Sequence, residues 1–261
     1  VIRTRKRFGQ HFLHDQHVLS RIVQALSPRE GDALLEIGPG AGALTEHLFE
    51  AVERFDAIEI DRDLAAALRE RWGDRLTLHE GDALDFDYGQ LARDRGGKLR
   101  VIGNLPYNIS TPLLFRLLEF VPYITDLHVM LQKEVIDRMA AEPGTDDYGR
   151  LTVMLAPHLH IEKLFDVGPG AFRPPPRVWS AVARLTVLPE PRFPVPPAFA
   201  AVVSAAFSAR RKTLRNALRA LVPEEAYAET GIDPGARAET LDPSQFAALA
   251  ALARPQQPVI P

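Results

Sequence analysis

Short apolar runs bounded by Gly or Asp recur through the first half of the chain, at Ala33–Gly38, Phe55–Ile60, Leu76–Glu80 and Leu99–Asn104. Their length and punctuation predict strands. Between the first three, apolar positions return at helical spacing, with Leu44, Leu48 and Val52 inside Ala43–Val52 and a second stretch at Leu64–Trp72. Ser110-Thr111-Pro112 reads as the cap and first turn of a helix reaching Phe120. Asp126–Leu131, Leu151–Ile161 and Ser180–Leu188 read as three further strands, the last two an antiparallel pair at a sheet edge. Strands alternating with helices predict an α/β domain, a parallel sheet covered on both faces.

The pattern changes at Leu188–Pro197, where five of ten residues are proline and a stiff linker is expected. Beyond it Phe199–Leu221, Glu224–Thr230 and Pro243–Ala253 have helical character. The reading divides the chain into an α/β domain over residues 1–190 and a small all-helical domain over 191–261.

Composition narrows the class. With 261 residues, 46% hydrophobic and 25% charged, the chain is globular, and disorder or fibrous repeats are excluded. The absence of Cys removes disulfides, thiolate metal sites and a Cys nucleophile. No apolar stretch approaches the roughly 18 residues of a membrane span, and the basic start is not followed by the apolar segment of a secretory signal. A cytoplasmic protein is expected, with residues missing before Val1. The net charge of −3 argues at first against a polyanionic partner, but its distribution reverses that. Residues 167–223 hold nine basic residues against the single acid Glu190, a local +8 that leaves −11 for the rest. Arg3, Arg5, Lys6 and Arg7 form a second basic cluster without acids. Two such clusters in an acidic chain point to nucleic acid.

Four polar residues mark the ends of the first four predicted strands: Glu36, Glu59, Asp82 and Asn104, spaced by 23, 23 and 22 residues. Right-handed crossovers bring such ends to one edge of the sheet, where open α/β sheets hold their ligands. The run Glu36-Ile-Gly38-Pro-Gly40-Ala-Gly42 then opens a helix. Its glycines allow a tight turn and close approach of a ligand to backbone N–H groups. Glu59 suits two ribose hydroxyls, and Asp82, before Ala83, suits an adenine amino group. The G-x-G-x-G spacing is not the dinucleotide fingerprint. Acids in register suit a cofactor with no phosphate and a positive sulfonium, S-adenosylmethionine.

Asn104-Leu105-Pro106-Tyr107 follows the fourth of these strands. Opposite a methyl donor it has a mechanism. The Asn104 side-chain oxygen and the Leu105 carbonyl each accept one hydrogen of an adenine N6 amino group, while Pro106 holds Leu105 extended. Tyr107 offers a ring on which the base stacks. No general base is required, since positioning and electrostatics lower the barrier.

With these segments in view, the sequence closely resembles the small-subunit (16S) ribosomal RNA adenine dimethyltransferases. The likeness runs through Arg5–Leu13, Glu36–Thr45, Glu59–Asp61, Gly81–Leu84, Asn104–Ser110, Gln132–Met139, Tyr148–Leu151, Phe172–Ser180, Phe207–Leu218 and Arg237–Phe246. The resemblance implies a Rossmann-like class I methyltransferase sheet with a C-terminal helical domain. It also implies dimethylation of two adjacent adenosines near the 3′ end of the rRNA, a role in small-subunit biogenesis, and a monomer acting on a pre-30S particle. Cofactor contacts are implied at His11, Leu13, Gly38, Gly40, Glu59, Asp82, Ala83 and Asn104. Many members carry Asn where this chain has His11. Phe172 is expected as a second stacking ring opposite Tyr107. Arg5, Lys6, Arg7, Arg210, Arg211, Lys212 and Arg215 are expected to contact RNA, with Arg211, Arg215 and Arg219 along one helix face.

Other readings remain at this point. Phe172–Pro176 is also a polyproline ligand pattern. His11, His14 and His17, or His158 and His160, have ligand-like spacing, but no acid pattern supports a metal and none is expected. An rRNA adenine methyltransferase of the large subunit, or a non-catalytic assembly factor on the same fold, are the competing functions; a dehydrogenase is disfavoured by the glycine spacing.

Overall fold

The computed structural model describes residues 11–209 and 211–254. In chain order the elements of the first part are β1 (Phe12–Leu13), α1 (Gln16–Leu26), β2 (Ala33–Ile37), α2 (Ala43–Leu48), β3 (Phe55–Glu59), α3 (Arg62–Trp72), β4 (Leu76–Glu80), α4 (Tyr88–Arg95), β5 (Leu99–Asn104), α5 (Ser110–Leu118), β6 (Ile124–Gln132) and α6 (Lys133–Met139). They are followed by α7 (Arg150–Leu155), β7 (Leu159–Val167), β8 (Phe172–Arg173), β9 (Ser180–Val187), α8 (Phe199–Ala206), α9 (Leu214–Leu218), α10 (Glu225–Thr230) and α11 (Pro243–Ala251).

A seven-stranded sheet runs β4-β3-β2-β5-β6-β9-β7. Strands β2 to β6 are parallel and β9 is antiparallel to β6. From β2 the chain builds outward through β3 to β4, then returns to lay β5 on the other side of β2. That reversal between β2 and β5 is the switch point at which a doubly wound sheet opens a crevice. The register sets Glu36 opposite Ala57 on β3 and Ile102 on β5, and Asn104 opposite Met130 on β6. The fold is α/β and Rossmann-like, as expected. Helix α1, which the pattern reading passed over, starts at Asp15, whose carboxylate accepts from the His17 and Val18 amides. It buries Leu19, Ile22 and Leu26 in a core shared with Leu34, Phe55 and Leu68.

The chain forms two compact units. One takes in the chain up to Ile136 together with Ile161–Val187; the other takes in Asp137–His160 and Leu188 onward. The expected boundary at residues 190/191 therefore needs revision, because Asp137–His160 belongs with the C-terminal segment. The physical reason is a second core, in which Tyr148 and Val153 are buried with Phe199, Val203, Leu218 and Phe246. The Tyr148 hydroxyl donates to the Leu241 carbonyl at 2.7 Å. The proline-rich segment after Leu188 is strapped within this same unit, with Leu188 N–H on the His158 carbonyl and Arg192 N–H on the Pro157 carbonyl, each at 2.9 Å.

Two element assignments are corrected. Leu151–Ile161 is not a strand: helix α7 covers its first part and β7 begins only at Leu159. A short apolar run rich in Leu and Val is ambiguous in period, and Thr152, which donates to the Arg138 carbonyl and accepts from Gly149 N–H, closes the first helical turn. Phe199–Leu221 is not one helix either. It stops at Ala206 and resumes at Leu214, because Leu214 and Arg215 donate their amides to the Ala236 and Pro234 carbonyls. Arg211 lies in the intervening turn, so it shares no helix face with Arg215 and Arg219. Among the described residues no helix is long and apolar enough to cross a membrane.

Candidate active site

Every predicted strand-end residue reaches one cavity of about 340 Å³ at the switch point. Its walls include Glu36, Glu59, Asp82 and Asn104, with Gly38, Gly40, Ala83, His11, Leu13, Leu105, Pro106 and Tyr107. Each residue expected to contact the cofactor therefore lines this cavity. Among the described residues, no Lys or Arg lines it.

The loop after β2 builds the floor. Gly38, Gly40 and Gly42 all have positive φ, at 68°, 59° and 82°, a conformation costly for residues with a Cβ. At Gly42 the demand is steric as well, since a Cβ would lie 2.1 Å from the Trp72 ring. The turn aims the Gly40 amide at Glu59, whose Oε2 accepts it at 3.0 Å while Oε1 accepts from Asp61 N–H at 2.9 Å. A Cβ on Gly103 would lie 2.4 Å from the Ile37 carbonyl oxygen, so glycine is needed for β5 to pass this close to β2.

The acids are deeply placed. Glu36 is 1% exposed and accepts from the Thr45 hydroxyl at 2.6 Å. Burial pushes its carboxyl up to about 8, and the neighbouring charge of Glu59 adds to the rise. Glu59, 4% exposed, is also raised by burial, against the two amide hydrogen bonds that favour its charged form. Asp82 accepts from Leu84 N–H through Oδ1 at 2.9 Å. Among the described residues these acids have no Lys or Arg beside them on the wall, which fits the site to a cationic, phosphate-free ligand. Ile60, 45% exposed and also on the wall, adds an apolar surface for a flat ring. The sequence reading missed it, though its place next to the strand-end acid was the available signal.

Above the floor, Asn104 donates through Nδ2 to the His11 carbonyl at 3.1 Å. That bond fixes the amide and leaves Oδ1 as the acceptor. Leu105 N–H is held by the Met130 carbonyl at 3.1 Å. The Tyr107 hydroxyl pairs with the Ser180 hydroxyl at 2.6 Å, and burial pushes the phenol upward. The His11 ring stacks on Tyr107 with centroids 5.6 Å apart and planes at 29°. Nδ1 of His11 donates to the Pro174 carbonyl at 2.8 Å. The roles of Ser180 and Thr45 in supporting the site were not foreseen, because each depends on a partner more than eight residues away in sequence.

One expected site residue is displaced. Phe172 is 2% exposed, lies in the core of the first unit and does not line the cavity. Strand β8 pairs with β1, Leu13 opposite Phe172, and this pairing turns the ring inward. It is a packing residue here and not the partner ring of Tyr107. On the basic side, Arg211 and Lys212 are exposed, whereas Arg215 is held by Glu224 at 2.5 Å. Arg5, Lys6, Arg7 and Arg210 lie outside the described residues.

Glu36 makes a pH-dependent prediction. Between its ordinary value of 4.5 and about 8, the unfolded chain ionises this carboxyl while the folded protein keeps it protonated. Stability therefore falls as pH rises across that window and levels off above it. Glu36→Gln mimics the protonated acid and removes the penalty. Thermal melts should show the variant gaining on the wild type from pH 5 to pH 8; a gap constant with pH would contradict the assignment.

Comparison with known proteins agrees with this geometry. Residues 1–254 match the family described as ribosomal RNA adenine dimethylase. The chain is 55% identical over 252 residues to the ribosomal RNA small subunit methyltransferase A of Thiobacillus denitrificans, covering 95% of this chain and 96% of that protein. It is 54% identical to the protein of the same name from Pseudomonas aeruginosa, covering 95% and 94%. Among solved structures it resembles a dimethyladenosine transferase from Plasmodium falciparum with a TM-score of 0.75 at 24% identity, over 93% of this chain and 99% of that one. It also resembles the 23S rRNA methyltransferase ErmE, with a TM-score of 0.67 at 28% identity, over 92% and 98%. This chain belongs to the ribosomal RNA adenine dimethylase family.

Proposed function

We propose that the protein transfers methyl groups from S-adenosylmethionine to N6 of two adjacent adenosines near the 3′ end of small-subunit rRNA, producing N6,N6-dimethyladenosine. The observation that carries this reading is that Asn104-Leu105-Pro106-Tyr107 line an acid-walled cavity that has no Lys or Arg among the described residues. S-adenosylmethionine supplies an electrophilic methyl on a positive sulfur and leaves as a neutral thioether. Glu59, Asp82, Gly38, Gly40, Ala83, Leu13 and His11 are the residues placed to hold it. In the first transfer Asn104 accepts one hydrogen of the target amino group through Oδ1 and the Leu105 carbonyl accepts the other, aiming the nitrogen lone pair at the methyl; in the second, the one hydrogen left engages one of these two acceptors. Tyr107 stacks the unstacked base, which requires the His11 ring to make room. The displaced amino proton leaves to water.

In this reading the enzyme works as a monomer in the cytoplasm on a pre-30S particle. Arg211 and Lys212 of the second unit contact phosphates together with the basic residues at 5–7 and 210, and Arg215 does so only by leaving Glu224. Action on the large subunit is the second reading, favoured by the likeness to ErmE; the 55% identity to a small-subunit enzyme supports the first.

The decisive assay incubates the protein with labelled S-adenosylmethionine and unmethylated ribosomal subunits, then digests the RNA. Label should appear as N6,N6-dimethyladenosine in the small subunit; label in the large subunit, or none, would contradict the reading. Asn104→Ala should cut turnover by about 10²–10³-fold, the usual loss for one positioned polar group, while S-adenosylhomocysteine still binds. Arg211→Ala with Lys212→Ala should flatten the salt dependence of subunit binding by about one to two phosphate contacts. An unchanged slope would remove these two residues from the RNA face.

A further inference from the structure

The inward turn of Phe172 leaves Tyr107 without a second aromatic partner of the expected kind, yet a large exposed ring precedes Ser180, the partner of the Tyr107 hydroxyl. Trp179 is 57% exposed, an unusual position for the largest apolar side chain. It follows Val178, which is also exposed, on a short loop carrying the exposed Arg173 and Arg177. Among the described residues neither arginine forms an ion pair.

The loop is not loosely attached. The Trp179 carbonyl accepts from Lys133 N–H at 2.9 Å, extending the β6–β9 ladder by one step beyond Gln132 and Ser180. The benzo edge of the indole rests against Gly168, where an added Cβ would lie 3.6–3.9 Å from it. The next residue, Ser180, holds the Tyr107 hydroxyl, and the Pro174 carbonyl of the same loop holds His11. A fixed, exposed indole flanked by free arginines is thus joined by adjacent residues to the ring that receives the target base. Aromatic faces with neighbouring cations are the features that bind unpaired bases of a single strand.

We propose that Trp179 is the stacking platform for the nucleotide next to the adenosine held at Asn104, with Arg173 and Arg177 on its phosphates. This inference rests on the function proposed above. A substrate with two adjacent targets always presents a neighbouring base, and that base, splayed from its stack while the other reacts, needs an apolar surface. Trp179, next in the chain to the Ser180 that holds Tyr107, offers one.

Three proteins test this: wild type, Trp179→Ala and Trp179→Phe, each assayed on unmethylated small subunits. Trp179→Ala should raise KM for the subunit by about tenfold, in line with the loss of one base–aromatic stack. Trp179→Phe should restore most of it. S-adenosylhomocysteine affinity and the melting midpoint should not change in either, which a merely structural role would not predict. The chain has two tryptophans, Trp72 and Trp179. Subunit binding should therefore quench a fluorescence component present in the wild type and missing in Trp179→Phe. An unchanged KM in Trp179→Ala with normal wild-type activity would overturn the Trp179 assignment alone. Wild-type protein that methylates no subunit would overturn the function and this inference together.

Discussion

Two glutamates buried side by side at the carboxyl edge of the sheet, with no Lys or Arg on the cavity wall among the described residues, are the constraint on which the rest of the site depends. Placing Glu36 and Glu59 out of water is unfavourable unless each finds donors, and the local backbone is shaped to supply them. The positive-φ glycines after β2 turn the Gly40 amide toward Glu59, the start of α3 contributes the Asp61 amide, and α2 contributes the Thr45 hydroxyl to Glu36. Glu36 meets the remaining cost by holding its proton at neutral pH. With Glu36 neutral, Glu59 and Asp82 are the acids that favour a cationic ligand over a phosphate.

Catalysis adds little beyond placement. The Asn104 amide is locked by the His11 carbonyl, and the Tyr107 ring is locked through its hydroxyl by Ser180. In the proposed reaction the acceptor and the Tyr107 ring are thus held in place before substrate arrives, with the His11 ring still to leave the stacking face. Strands β1 and β8 matter because they bring His11 and the Pro174 carbonyl to this rim from segments 163 residues apart.

The α/β sheet and the four strand-end residues were legible in the sequence because they repeat at the length of one strand-plus-helix unit, whereas the strand order that opens the switch point was not. The G-x-G-x-G loop was legible because only glycine tolerates the backbone it requires. What failed were features settled by distant partners. Phe172 reads as an accessible ring beside prolines, and only its pairing with Leu13 turns it inward. The run Leu151–Ile161 carries strand-like residues, but Gly149 N–H on the Thr152 hydroxyl closes a helical turn at its start, and the Thr152 bond to the Arg138 carbonyl ties that turn to a distant segment. The basic stripe predicted on one helix is broken by bonds from Leu214 and Arg215 to the segment near Pro234. Helix α1, with its Asp15 cap and buried Leu19, Ile22 and Leu26, precedes the strand-plus-helix repeat and stands outside its period.

The charge selectivity of the cavity is the claim on which the cofactor, the chemistry and the family resemblance converge. It is tested most directly by isothermal titration of the protein with S-adenosylmethionine and, separately, with NADH. The account predicts saturable binding of the first and no heat from the second at matched concentration. Binding of NADH that S-adenosylmethionine displaces, at comparable affinity, would contradict it.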